Sequence, residues 1–355
     1  MKTKLIKIEN LNDDYLTGAL EAPVNALKSG QVVCFPTETV YGIGAVWNDN
    51  DAVAEIFNIK NRPQDNPLIV HVNSVEVMKG YFSFWDEVAD VLARSFCPGP
   101  FTLIMPKSED ISSPVTAGLD TIGVRIPSNK IANKLIELLG TGIAAPSANI
   151  SGRPSPTNAQ DAYEDLNGKL EYIIDGGKSD VGVESTIVSW DGKKLRLLRP
   201  GGVSLEDIST VLENNRIYID IDTTAIEDLH NQEVALAPGM KYKHYAPKAT
   251  VDIIYGKSIK EKIEYFTDSL SSSRKIGLYI SSELHSELLA NNLIKPDMEV
   301  IVFSDSNKHE EAANGLFEAF REFDRLACDN IQAEELVEVE IGTAYMNRLR
   351  KAAIK

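Results

Sequence analysis

Lys60 and Arg62 stand in the stretch Lys60-Asn61-Arg62-Pro63-Gln64-Asp65-Asn66-Pro67-Leu68-Ile69-Val70-His71, where cations and prolines separate a helical pattern from an apolar run. Upstream, Val53, Ile56 and Phe57 recur at helical spacing over Asp49 to Ile59, and Lys60 follows on the same side. Pro63 disfavours helix at Arg62, so the spacing predicts two cationic heads on a last turn and the loop after it, able to clamp a phosphate. Cations at a helix C-terminus also complement its dipole, so the weight of this pair comes from the residues around it. Thr37, Thr39 and Tyr41 alternate in Pro36-Thr37-Glu38-Thr39-Val40-Tyr41-Gly42-Ile43-Gly44, which predicts hydroxyls on one side of an extended segment. Gly42 and Gly44 would admit a ligand close to the backbone or serve a tight turn. Trp47 takes the place of a third glycine, so the dinucleotide fingerprint is incomplete.

Thr121, Gly123 and Arg125 share one face of the strand pattern Thr121 to Pro127. An arginine among apolar neighbours needs an anionic partner, either a structural carboxylate or a ligand. Ser147 and Asn149 follow a short apolar run, where an open α/β sheet forms its crevice. There is no GxSxG elbow and no motif ties a histidine to Ser147, so both residues read as hydrogen-bonding positioners or loop caps, not nucleophiles. Arg199 leaves a hairpin at Pro200-Gly201-Gly202, where a cation can meet a ligand.

The elements that must hold these residues alternate. A helix over Asp14 to Ser29, closed by Gly30, precedes a strand at Gln31 to Phe35; Leu68 to Val72, Phe101 to Met105 and Ile143 to Ala145 are further strands. Helices are expected over Asp86 to Ser95 and over Asn129 to Leu139 before Gly140, and Thr157 with Gln160 resembles a capping box opening a helix to Leu166. Tyr172 to Asp175 and Glu184 to Trp190 add strands, the second in a hairpin with Leu195 to Leu198 through Asp191-Gly192, before a helix near Ser204. From Arg216 to Glu233 the patterning weakens, as in an interdomain connection. Pro238 to Lys248 (PGMKYKHYAPK) is a basic, aromatic island expected to close over a bound anion. Beyond it Val251 to Tyr255, Lys275 to Ser281 and Met298 to Ser304 alternate with helices near Ile259 to Leu270 and Glu283 to Asn291, the pattern of a small parallel α/β domain. The helix His309 to Cys328 sets Ala313, Leu316, Phe317, Phe320 and Ala327 at core spacing.

The 355 residues allow two domains, and 43% hydrophobic with 25% charged residues is ordinary for a globular chain. A net charge of -16 disfavours non-specific binding to a nucleic-acid backbone, so any anion site must be a local cationic island. No run has the length of a transmembrane helix and no leader pattern opens the chain, which reads as cytoplasmic. Cys34, Cys97 and Cys328 lie far apart outside any CxxC pattern and are expected to be small buried hydrophobes; the five histidines show no metal-ligand spacing.

Taken in order, PTETVYGIG, KNRPQDNPLIVH, TIGVRIP, APSANISG, GGKSDVGVESTIV and LRPGG resemble the YrdC/Sua5 family of threonylcarbamoyl-AMP synthases from Gln31 to Gly202. The segment PGMKYKHYAPK and the trailing α/β pattern point to the longer Sua5 form. The resemblance implies a YrdC-like mixed twisted sheet in a catalytic domain over residues 1–215, a linker covering the active site over 216–248, and a smaller Rossmann-like α/β domain over 249–355. It implies a nucleotidyltransferase that joins L-threonine, bicarbonate and ATP, with Mg2+, into L-threonylcarbamoyladenylate and pyrophosphate. The product would serve t6A formation at position 37 of tRNA through separate transfer proteins, without stable tRNA binding or a membrane. Lys60, Arg62, Ser147 and Asn149 would form the functional centre. Arg62, Asn66, Thr121, Ser147, Ser155, Arg199 and Tyr245 would hold ATP; Thr37 or Thr39, His71, Arg125, Ala145 and Ser185 would hold threonine, with Arg125 on its carboxylate; no protein metal ligands are implied. The alternatives are a carbamoyl-adenylate synthase, disfavoured by the lack of an acylphosphatase-like segment and zinc-finger cysteines, and an RNA-binding or ribosome-maturation module.

Overall fold

The computed structural model describes residues 2–111, 114–227, 236–238, 245–269, 275–305 and 308–354. The chain divides into two compact units, residues 1–151 with 155–242, and residues 152–154 with 243–355.

The first unit is built on strands β1 (Lys4–Lys7), β2 (Val33–Phe35), β3 (Gly42–Val46), β4 (Ile69–His71), β5 (Phe101–Pro106), β6 (Thr121–Arg125), β7 (Ile143–Ala144), β8 (Tyr172–Asp175), β9 (Thr186–Trp190), β10 (Leu195–Arg199) and β11 (Ile221–Asp222). They form one 11-stranded mixed sheet in the order β1-β8-β2-β3-β7-β4-β6-β5-β9-β10-β11. Register decides what each face carries. His71 lies beside Ile143 and Arg125, Arg125 beside Thr102, Thr102 beside Ile187, and Ile187 beside Arg199. Neighbours in register point to the same face, so His71, Arg125, Thr102 and Arg199 form a polar row across β4, β6, β5 and β10. Two residues along, Ile69, Gly123 and Ile104 make an apolar row on that face. The alternate residues Val70, Val124, Leu103 and Val188 enter the main core on the other face. On the β2–β3–β7 side, Val33, Phe35, Ile143 and Ala145 are packed with Leu20 and Leu27 of the helix Asp13–Lys28 and Leu135 of the helix Lys130–Leu139. This covering leaves the other half of the face to the polar row.

The helix Asn50–Lys60 forms because Asp49 caps it, its side chain accepting from the Ala52 amide, while Val53, Ile56 and Phe57 bury one side. Asn61 in the left-handed conformation ends it and returns the Arg62 amide to Phe57 O at 2.9 Å. Two expectations shift. The helix Ala159–Leu166 is capped by Asn158, whose Oδ1 accepts from the Asp161 amide at 2.9 Å; Thr157 is buried and its carbonyl accepts from the Ser179 amide. The first unit also runs past residue 215, because β11 pairs in parallel with β10 and a short helix Thr224–Glu227 follows it. The described residues 216–227 are therefore part of the sheet domain, and Ala237 belongs to the apolar cluster of Ile69, Ile104, Ile187 and Leu198.

The second unit has four parallel strands, β12 (Thr250–Ile254), β13 (Ile276–Ser281), β14 (Glu299–Phe303) and β15 (Asn330–Glu334), in the order β12-β15-β13-β14. The sequence patterns indicate β12, β13 and β14 and miss both β15 and the helix Ile341–Ala353. Among the described residues no helix is long and apolar enough to cross a membrane.

Candidate active site

Lys60, the last residue of its helix, is 1% exposed, and its Nζ donates to the carbonyls of Ser147 and Asn149. The Ser151 amide returns a bond to Lys60 O at 2.9 Å. Ser147 Oγ donates to Asn149 Oδ1 at 2.5 Å, and Asn149 Nδ2 to Ile150 O at 2.9 Å. Of the four residues expected in the functional centre, Lys60, Ser147 and Asn149 are thus one bonded group, with the cation set against the 147–149 turn. Arg62 is placed differently from expectation as well: its guanidinium donates to Pro67 O at 3.0 Å and to Asn66 O at 3.3 Å, curling the loop 62–67 around itself. The spacing predicts two heads able to clamp a phosphate; in the structure Asn61 caps the helix and both heads lie on backbone carbonyls, which keeps their charge at a fixed place. Asn66 is 1% exposed, and its Oδ1 has no hydrogen-bond partner among the described residues.

The Pro36 to Gly44 segment is a bend followed by β3, and its three hydroxyls do not line one side. Thr37 and Thr39 Oγ1 meet at 2.9 Å and Thr37 Oγ1 donates to Val40 O at 2.6 Å, whereas Tyr41 Oη donates to Gly177 O at 2.6 Å. The two glycines serve packing: a Cβ on Gly44 would lie 2.5 Å from Ile143 Cγ2, and one on Gly42 would lie 3.3 Å from the Phe35 ring. This close approach brings β3 to the Ser147 turn through an isolated bridge between Gly42 and Ser147.

Arg125 has the structural carboxylate that its setting demanded. Its Nη2 donates to Glu38 Oε1 at 2.6 Å, with both side chains 5% exposed. Burial, and after it the neighbouring Arg125 charge, pushes the His71 imidazole down to about 3. His71 is therefore neutral, with Nδ1 3.3 Å from Ile69 O. Its ring resonances should stay flat in an NMR titration from about pH 5 to about pH 8; a midpoint inside that range would overturn the neutral assignment. Ser185 Oγ shares a bond with Thr102 Oγ1 at 2.8 Å and accepts from Arg199 Nη2 at 3.1 Å. Arg199 also donates to Ser185 O and to Pro238 O, each at 3.1 Å. It is the buried end of β10 and is held by this frame, in contrast to the loop position expected for it. Ser155 Oγ donates to Glu184 Oε1 at 2.6 Å, Thr121 is half-buried at the start of β6, and the Ala145 amide donates to Ile69 O at 2.9 Å. Cys34 and Cys328 are buried; Cys97 is half-buried, its thiol pushed up to about 12 by burial.

Gly201 makes this frame possible. A Cβ there would lie 2.2 Å from Thr186 N and 2.4 Å from Glu184 O. Backbone cannot yield as a side chain does, so Gly201→Ala should cost ~2 to 3 kcal/mol in urea unfolding and loosen Arg199 from Ser185. An unchanged midpoint would show that the strand ends separate without cost.

Glu38 and Thr102 were missed as individual sites. Thr102 is a fully buried hydroxyl in an otherwise apolar strand, and Glu38 lies between the two threonines already singled out. Tyr245 belongs to the second unit, where it is 3% exposed, its ring stacked on Phe317 at 5.2 Å with the Arg348 guanidinium 5.6 Å away. Residues 239–244 of the expected closing segment lie outside the described residues.

A family model described as Telomere recombination, of the Sua5/YciO/YrdC group, matches residues 25–201, and one described as Threonylcarbamoyl-AMP synthase, C-terminal domain, matches residues 203–354. The threonylcarbamoyl-AMP synthase of Pyrococcus abyssi is 44% identical over 330 residues, covering 92% of both chains. That of Bacillus subtilis is 40% identical over 330 residues, covering 92% of this chain and 90% of the other. The crystal structure of P. abyssi Sua5 complexed with L-threonine matches with a TM-score of 0.87 at 42% identity, covering 99% of this chain and 98% of that one. The fold is thus that of the YrdC-like α/β enzymes. The chain belongs to the Sua5/YrdC family of threonylcarbamoyl-AMP synthases, with both Sua5 units present.

Proposed function

We propose that this chain makes L-threonylcarbamoyladenylate and pyrophosphate from L-threonine, bicarbonate and ATP, supplying t6A modification of tRNA in the cytoplasm through separate transfer proteins. What carries the reading is the match along both units to the P. abyssi Sua5 whose crystal structure is of a complex with L-threonine. In this reading the polar row takes the amino acid, with Arg125 on its carboxylate and neutral His71, Ser185 and Thr37 or Thr39 around its polar groups. Lys60, Arg62, Asn66, Thr121, Ser147, Ser155 and Arg199 face ATP; Tyr245 is the linker candidate. The amine of threonine joins the carbon of bicarbonate with loss of water. A carbamate oxygen then bonds to the α-phosphorus as the bond to pyrophosphate breaks. No covalent nucleophile is required, only alignment and compensation of charge on the leaving group, which Lys60 and the arginines supply. Mg2+ would be held on the phosphates of ATP and would offset their charge.

Pyrophosphate release by the purified chain with ATP and Mg2+, omitting threonine or bicarbonate in turn, tests this. Release that needs both supports the synthase. Release indifferent to both omissions, or none at all, rejects it and favours the RNA-module alternative, which a salt-steep RNA affinity would then support.

A further inference from the structure

The buried pair of Glu38 and Arg125 leaves one oxygen without use. Glu38 Oε1 accepts from Arg125, but Glu38 Oε2 is buried with no hydrogen-bond partner among the described residues. A buried carboxylate oxygen without a protein donor is costly, and native proteins keep one where a ligand, an ion or a bound water completes it or where it serves catalysis. The pair stands at a particular place: Arg125 lies between His71 and Thr102 in the polar row, and Glu38 reaches it from the bend before β3. Glu184, the acidic neighbour of Ser185, is already bonded to Ser155. An α-amino acid carries its ammonium group one carbon from its carboxylate. A ligand whose carboxylate meets Arg125 therefore brings its cation towards the carboxylate that Arg125 is paired with.

We propose that Glu38 Oε2 receives the α-ammonium group of the amino-acid substrate and takes the proton which that nitrogen must lose before it can react. This rests on the reading that threonine binds at the polar row. An N–H bond breaks, its electron pair stays on nitrogen, and the proton passes to Glu38. The amine then forms a C–N bond to the carbon of bicarbonate while a C–OH bond breaks, and the hydroxide leaves with a second amine proton as water. Glu38 afterwards returns its proton to solvent, so ammonium and bicarbonate give carbamate, water and one proton.

The test compares calorimetric binding of L-threonine and of 3-hydroxybutyrate, which keeps the carboxylate and hydroxyl and lacks the amine. The wild-type chain should bind 3-hydroxybutyrate at least about tenfold more weakly than threonine, because one charge-assisted bond is lost. Equal binding by the wild type overturns the proposal without any variant. Glu38→Gln keeps an oxygen for Arg125 and should weaken threonine by roughly 10- to 100-fold while leaving 3-hydroxybutyrate unchanged. Equal weakening of both ligands would mean that Glu38 acts only through Arg125, and unchanged threonine binding would mean that it does not act; either result overturns the proposal. A wild-type chain that takes no threonine is a separate failure, of the synthase reading itself, and is seen first.

Discussion

Lys60→Ala should cut pyrophosphate release by roughly 10²- to 10³-fold, the scale on which removal of a fixed electrostatic group acts on turnover. Two effects combine in that loss. The charge that would face the departing pyrophosphate disappears, and the carbonyls of Ser147 and Asn149 lose the ammonium that holds their turn. They can be separated. Lys60→Met keeps the stem of the side chain packed and removes only the charge; if its melting temperature stays near wild type while turnover remains as low as in Lys60→Ala, the charge is what matters. Near-normal turnover in Lys60→Met, measured at saturating ATP and threonine, would remove Lys60 from the functional centre and leave it as a cap of the 147–149 turn.

The second large effect lies away from the polar row. Glu334, at the end of β15, is fully buried; its Oε1 accepts from Lys262 at 2.8 Å, with Lys308 3.3 Å away, and its Oε2 from the Ser281 amide at 2.7 Å. Glu334→Leu should destabilise the second unit by ~3 to 5 kcal/mol, because Lys262 would keep a nearly buried charge without its partner. The double replacement Lys262→Met with Glu334→Leu should restore much of that loss, and chemical unfolding of the two variants side by side would show it. Failure of the double variant to recover would mean that the Ser281 bond matters more than the ion pair. The pair also sets an acid limit. Burial alone would raise the Glu334 carboxyl, but the bonds from Lys262 and Ser281 outweigh it and hold the group below its ordinary value of 4.5. A carboxyl lowered in the folded state stabilises above its ordinary value, and that contribution fades as pH falls below it. Stability curves of wild type and Glu334→Gln should therefore converge in acid; a gap that persists would place the effect elsewhere.

The same strand shows where sequence patterning stops. β15 reads Asn330-Ile331-Gln332-Ala333-Glu334, and although all five residues are buried, three are polar. Buried strands are found in sequence as apolar runs; here the polar residues are satisfied by partners distant in the chain, such as Asp252 for Asn330 and Lys262 for Glu334. The first unit was more legible because its strands are apolar and its helix ends carry ordinary signals, such as Asp49 before one helix and Gly140 after another. Candidate site residues could be picked out by type and motif, but their partners could not. That Lys60 turns onto Ser147 and Asn149, or that Arg125 meets Glu38, depends on segments about ninety residues apart and on a register that no local pattern contains.

The placement of β15 bears on how the chain is made. It pairs with β12 on one side and β13 on the other, yet it is the last of the four strands to leave the ribosome. Until it emerges, β12 and β13 have no shared neighbour, and both present unpaired edges that can recruit other chains. The second unit must therefore wait for its final strand, while the first can begin to organise during synthesis. Nascent second units held between these two stages are the natural clients of chaperones.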